Sequence, residues 1–193
     1  MGKRVEIKGA LDRERWAEAA LQALIGGGLR AVSVERIAEQ LSVTKGSFYW
    51  HFASRAELLA AMAARWEAVA TEAIIAEVEA IVDPRERLRA LLRASFDDVA
   101  NLRAEAALAA AAQSDRAVAR VVLRVMKRRL AYTESVYRAL GQTPAGSRRL
   151  AIAAYGAYLG TVQLAGVGLL GEENRSLADQ ARLLGELLMP AER

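Results

Sequence analysis

The sequence predicts an all-α fold of about nine helices, and three observations carry that reading. Hydrophobic residues make up 53% of the 193 positions, and most of them are Ala and Leu. Only three prolines occur, and runs of alternating β-branched residues are almost absent. Apolar residues recur instead at intervals of three and four, in segments opened by capping residues and closed by glycine. The length gives room for one large or two small domains with ample core.

Each element has its own justification along the chain. Asp12 is placed to cap a first helix with Trp16, Ala19, Ala20, Ala23 and Leu24 on one face, stopped by Gly26-Gly27-Gly28. Ser33 caps a second helix whose Val34, Ile37, Ala38 and Leu41 share an apolar face. Ser42-Val43 turns the chain, and Thr44 caps a third helix to about Trp50. Ser54 and Glu57 form an S-x-x-E capping box, opening a long helix from Arg55 to about Ile81. Asp83-Pro84-Arg85-Glu86 starts the next, with a cap, proline at the first helical position and an early acid, followed by the stripe Leu88, Leu91, Leu92, Phe96, Val99. Weak breaks near Asn101 and Ser114 bound an Ala-rich helix. Ser114 or Asp115 opens a long helix with Val118, Val121, Val122, Val125, Tyr132, Val136 and Leu140 inside, ended by Gly141. Thr143-Pro144 begins a helix that Gly171 ends, and Asn174 to Met189 forms the last.

The segment Ser33 to Phe52 is the most informative. Two short helices flank a tight turn, and the inward positions of the second are Val43, Phe48, Phe52 and in part Ser47, with Ile37 and Leu41 beneath. That leaves Lys45, Gly46, Tyr49, Trp50 and His51 facing outwards, an aromatic surface that needs a partner. A helix-turn-helix offering its second helix to a DNA major groove supplies one. Thr44-Lys45-Gly46-Ser47-Phe48-Tyr49-Trp50-His51-Phe52 resembles, in register, the DNA-binding motif of the TetR/AcrR family of transcriptional regulators. Gly28 stands at that family's helix-1 glycine, and Ser54-Arg55-Ala56-Glu57-Leu58-Leu59 matches its fourth-helix start. One position departs: Ser42 replaces a common glycine, so the turn must accept a side chain.

Chemistry assigns expected roles. Thr44, Tyr49 and His51 offer donors to phosphate, Arg55 adds a cation, and the helix start at Ser33 presents free backbone N–H groups. Lys45 can reach a guanine edge, Gly46 lets the helix sit deep, Ser47 can touch a base, and Trp50 can pack on a thymine methyl or on sugar. The basic arm Lys3, Arg4, Lys8 is either a minor-groove arm or a frayed terminus. Charge is placed accordingly: residues 1–55 carry nine Lys/Arg against six Asp/Glu, the rest eighteen against seventeen.

The boundary is expected between residues 1–54, a DNA-binding domain, and 55–193, a helical regulatory and dimerisation domain. Leu150 to Leu170 carries no charge, but its glycines, Thr161 and Gln163 and its Ala-rich character argue against a membrane span. The resemblance implies instead a homodimer built through the last two helices. Ala153, Gly156, Ala157, Gly160 and Leu164 would meet Leu177, Ala181, Leu184 and Leu188 there. It also implies repression of a roughly palindromic operator, released by a small-molecule effector in a helical cavity. Met62, Trp66, Phe96, Asn101, Gln113, Met126, Tyr132 and Tyr155 are the candidate lining, which favours an apolar or aromatic ligand. The run Lys127-Arg128-Arg129 reads as a solvated face.

Other classes fare poorly. The chain has no cysteine and one histidine, inside the helix-turn-helix, so neither a metal site nor a cofactor is expected. Asp97-Asp98 are adjacent and face apart on a helix, and no glycine-rich phosphate loop follows a strand, which excludes the usual enzyme constellations. The polar, basic stretch Met1 to Ala10 is no signal peptide, and a cytoplasmic protein is expected. The competing reading is a helical adaptor or membrane-associated bundle that does not bind DNA.

Overall fold

The computed structural model describes residues 2–96, 99–169 and 174–191. Helix α1 covers Gly2–Ala31, α2 Val34–Gln40, α3 Lys45–Phe48 and α4 Arg55–Glu67. A π-helical turn, Ala68–Ala73, leads directly into α5 at Ile74–Glu79. Then follow α6 Pro84–Phe96, α7 Val99–Ala112, α8 Arg116–Ala139, α9 Pro144–Gly166 and α10 Asn174–Leu187. With residues 55–79 counted as one continuous helix, nine helices and no strand stand among the described residues.

The caps form by the chemistry anticipated. Ser33 Oγ accepts from Arg36 N, Thr44 Oγ1 from Ser47 N, and Thr143 Oγ1 from Gly146 N. Asp83 accepts from Arg85 N, and Asp115 takes both Ala117 N and Val118 N. Ser54 Oγ accepts from Glu57 N, while Glu57 reaches one residue further back than the usual box, to Ala53 N at 2.8 Å. At the far ends, Gly141 and Gly168 take φ of +79° and +73°, and the amides that follow them close six-to-one bonds onto Tyr137 and Leu164 carbonyls.

Four differences from expectation have local causes. Position 12 lies inside α1 rather than at its start, because the helix already runs from Gly2; Glu6, Ile7, Lys8 and Ala10 are all compatible with helix. The glycine stop is a kink, with Gly27 and Gly28 (φ +67°) leaving helical geometry. Asn101 lies inside α7 rather than at a break. Helix α9 ends at Gly166; Gly171, the expected terminator, lies outside the described residues, as do Asp97-Asp98 and the side chains of Lys3, Arg4 and Lys8.

The chain divides into two compact units, residues 1–68 with 107–123, and residues 69–106 with 124–193. In the first, Trp16, Leu24, Ile37, Phe48, Phe52, Leu58 and Met62 are fully buried. Phe48 is central: the Trp16 ring meets it edge-on at 5.3 Å and Phe52 stacks on it at 5.4 Å. Val43, expected inside, is exposed, and Leu41 is half-buried. In the second unit, Leu88, Leu92 and Phe96 of α6 pack with Val136 and Tyr137 of α8, Ala151, Ala154 and Tyr158 of α9, and Leu177 and Ala181 of α10. No helix among the described residues is long and apolar enough to cross a membrane.

Candidate nucleic-acid interface and ligand cavity

Helix α3 is a single turn, and its anchor is Phe48. With that ring buried, 3.6-residue geometry turns the neighbouring positions outwards. Thr44, Lys45 and Gly46 are exposed, Tyr49 is 60% and Trp50 86% exposed, and Ser47 and His51 are half-buried. An indole so fully in water is an unusual use of the largest apolar side chain. Tight i→i−3 bonds from Tyr49, Trp50 and His51 amides continue the turn. Arg13, which sequence reasoning passed over, fixes its end: the guanidinium donates to the His51 carbonyl, pairs with Glu57 at 2.7 Å and lies 4.4 Å over the Phe52 ring.

Beside α3 a cleft of about 440 Å³ is lined by Arg30, Val32, Ser33, Val34, Glu35, Lys45, Tyr49 and Arg55. Three cations and a phenol around one acid make a surface suited to phosphate oxygens. Two of these cations already have partners. Lys45 Nζ lies 2.5 Å from Glu35, whose carboxyl is held down at about 2 by that hydrogen bond first, then by its own backbone and Ser33. Arg55 donates to the Leu29 and Val32 carbonyls at 2.6 and 2.7 Å, so it ties the chain after the α1 kink to the start of α4. Arg30 escaped the sequence reading because it precedes the helix-turn-helix, and Glu35 because an acid is not an expected neighbour of phosphate.

The second unit holds a cavity of about 60 Å³. Of the residues expected to line a pocket, Phe96, Asn101, Tyr132 and Tyr155 do so; Met62, Trp66, Gln113 and Met126 do not. Met62 and Trp66 are buried in the other unit, Gln113 is exposed and Met126 half-buried. Arg129 overturns the reading of residues 127–129 as a solvated face: Lys127 and Arg128 are exposed, but the Arg129 side chain keeps only 13% of its surface. It donates to Glu105 at 2.6 Å, Thr71 at 2.8 Å and the Ala70 carbonyl at 2.9 Å. Tyr158 donates to the same Glu105 oxygen at 2.5 Å. Burial opposes the guanidinium charge, yet Glu105 and Tyr158 outweigh it and the proton is held more tightly than usual. The signal was present in the sequence: position 129 continues the buried series 118, 122, 125, 132, 136.

On α9, Ala153, Gly156, Gly160 and Leu164 are exposed and Ala157 is half-buried, beside exposed Ile152. On α10, Leu177 and Ala181 belong to the core of their own unit and Leu184 and Leu188 pack partly against it, because α10 lies along α6. The outward apolar residues of α10 are Leu183 and Leu187.

Comparison with known proteins bears on residues 17–62, which match the family model for bacterial regulatory proteins, tetR family. The HTH-type transcriptional regulator TtgR of Pseudomonas putida is 33% identical over 100 residues, 51% of this chain and 48% of that protein. The chain thus spans about half the length of such curated relatives. A transcriptional regulator from Rhodococcus sp. Rha1 superposes with TM-score 0.77 at 22% identity, over 91% of this chain and 95% of that one. A regulator from Saccharomonospora viridis in complex with choline gives TM-score 0.74 at 17% identity, over 92% and 96%.

Proposed function

We infer, from a chain that belongs to the TetR family of bacterial transcriptional regulators, that it binds duplex DNA through α3 and represses transcription as a homodimer. Residues 1–54 act as the DNA-binding domain, and 55–193 regulate and dimerise. The observation that carries this is the exposure of Tyr49 and Trp50 beside a cleft bearing Arg30, Lys45 and Arg55. Phosphate contacts from Thr44, Tyr49, His51 and the cleft set the register, while Lys45, Ser47 and Trp50 face the bases. Two such helices in a two-fold dimer read an approximate palindrome. The cavity of the second unit supports release by a small molecule that prefers the non-binding conformation. A structural neighbour's complex with choline is in keeping with that use of the fold.

Fluorescence anisotropy on duplex from immediately upstream of the chain's own gene, beside random duplex, tests the reading. The expected result is saturable preference for the upstream duplex, weakened by salt and by about tenfold in Tyr49→Ala. Equal weak binding to both duplexes moves the operator elsewhere. No binding to either at low salt overturns the reading in favour of a bundle that does not bind DNA.

A further inference from the structure

The chemical class of the effector can be read from the cavity of the second unit, an inference that rests on the ligand-release reading above. The fold does not dictate ligand charge; the lining does. Here one buried cation and one buried anion already neutralise each other. Arg129 is saturated on three sides by Glu105, Thr71 and the Ala70 carbonyl, and Glu105 takes donors from both Arg129 and Tyr158 on one oxygen. A charged guest would therefore lose its hydration and find no uncommitted counter-charge. What the cavity does leave uncommitted is a donor. The Tyr155 ring stacks on Tyr158 at 5.9 Å and 16°, and its buried hydroxyl, whose oxygen the Arg129 guanidinium faces, donates to no acceptor. Burial above all pushes that hydroxyl up to about 12, so it keeps its proton near neutrality. Tyr132 adds a second buried hydroxyl without a partner; Ile74, Leu91, Leu92 and Phe96 supply apolar walls, and Ser95, Asn101 and Thr133 add neutral polar groups.

We propose that this cavity selects an uncharged, largely apolar molecule that presents a hydrogen-bond acceptor, such as a carbonyl, ester or amide oxygen, to the Tyr155 hydroxyl. A cavity of about 60 Å³ as it stands favours a compact guest. Glu105 is the positioning residue that enforces neutrality, by holding the charge of Arg129.

Three near-isosteric probes separate charge from shape: isobutyramide, isobutyrate and isobutyramidinium, titrated by saturation-transfer NMR against the full chain. Isobutyramide is expected to bind the wild type at least about tenfold more tightly than either ion. Tyr155→Phe keeps the stack, loses the donor and weakens the amide about tenfold. Glu105→Gln still accepts from Tyr158 but leaves Arg129 unmatched, so preference passes to isobutyrate. Wild-type binding of either ion as tight as the amide overturns the proposal, and so does an unchanged affinity in Tyr155→Phe. Binding of none of the three by protein that still binds duplex overturns it as well. Selective amide binding that leaves DNA affinity unmoved supports the cavity chemistry and sinks the ligand-release reading instead.

Discussion

Lys45 enters its expected role already engaged. Its ammonium sits on Glu35, and Ser33 Oγ donates to the same carboxylate at 3.0 Å. Whether a base edge or a flanking phosphate takes the lysine, it competes with an acid that remains beside the duplex as a like charge. Glu35→Gln is thus expected to tighten binding to any duplex several-fold, and to steepen the slope of log affinity against log salt by up to about 0.9. Anisotropy in a salt series checks it, and an unchanged slope means that Lys45 stays off the backbone. The carboxyl is depressed to about 2, so the pair contributes fully above the unfolded value near 4.5 and is lost only as pH falls towards 2. In the free protein Glu35 therefore stays ionised between pH 5 and 8, roughly the span in which such assays run, so a Glu35 titration of DNA affinity there would report the displaced carboxylate of the complex. Ser42 makes a second residue-scale case. It holds φ +56°, a left-handed geometry costing a side chain roughly 1–2 kcal/mol, against about 0.5–1 kcal/mol of added chain entropy for glycine. Ser42→Gly should stabilise by about 0.5 kcal/mol in urea unfolding; a loss of stability would show that the serine makes a compensating contact.

Helix α8 shows how a single charge can sit on an apolar stripe. Removing one partner of its buried pair, as in Glu105→Ala, strands the guanidinium of Arg129 and should cost about 3–5 kcal/mol in urea unfolding. The exposed pair Arg182–Glu186 of α10 should cost under about 1 kcal/mol when Glu186 becomes Ala. Comparable losses in the two variants would mean that Glu105 is solvated. The contrast also explains what the sequence could reveal. Caps at Ser33, Thr44, Asp83 and Thr143 were legible because their chemistry is local, each side chain meeting an amide two or three residues on. The outward set on α3 was legible because burying Phe48 fixes the rest of a one-turn helix. Arg129 lies on the buried stripe of its helix, but its charge outweighed that signal, because a charged residue is assigned to solvent unless its counter-charge is known, and Glu105 lies on another helix. The π-helical turn at 68–73 left no mark in an Ala-rich run, and Leu177 and Ala181 could not be sorted between core and surface without knowing where α6 lies.

The exposed face of α9 decides whether the molecule acts as a dimer. Gly156 and Gly160 lie one turn apart, and a Cβ built on either meets no atom within 4 Å. Nothing inside the subunit therefore requires a glycine at these positions, although each weakens a helix interior by about 1 kcal/mol relative to alanine. A close-approaching second backbone would require both. Ile152 and Leu164, 51% and 38% exposed on the same row, supply the apolar contact that such an approach would bury. Gly156→Trp separates the possibilities, since an indole on an open helix face leaves the subunit fold intact but fills the space a partner needs. Sedimentation velocity should show wild-type dimer and mutant monomer, with equal helical circular dichroism. On a palindromic duplex the variant should keep half-site affinity while losing the roughly 10²-fold or greater gain from linking two sites. A mutant that stays dimeric would move the interface off α9; one that loses helicity would mean that this face packs within the subunit.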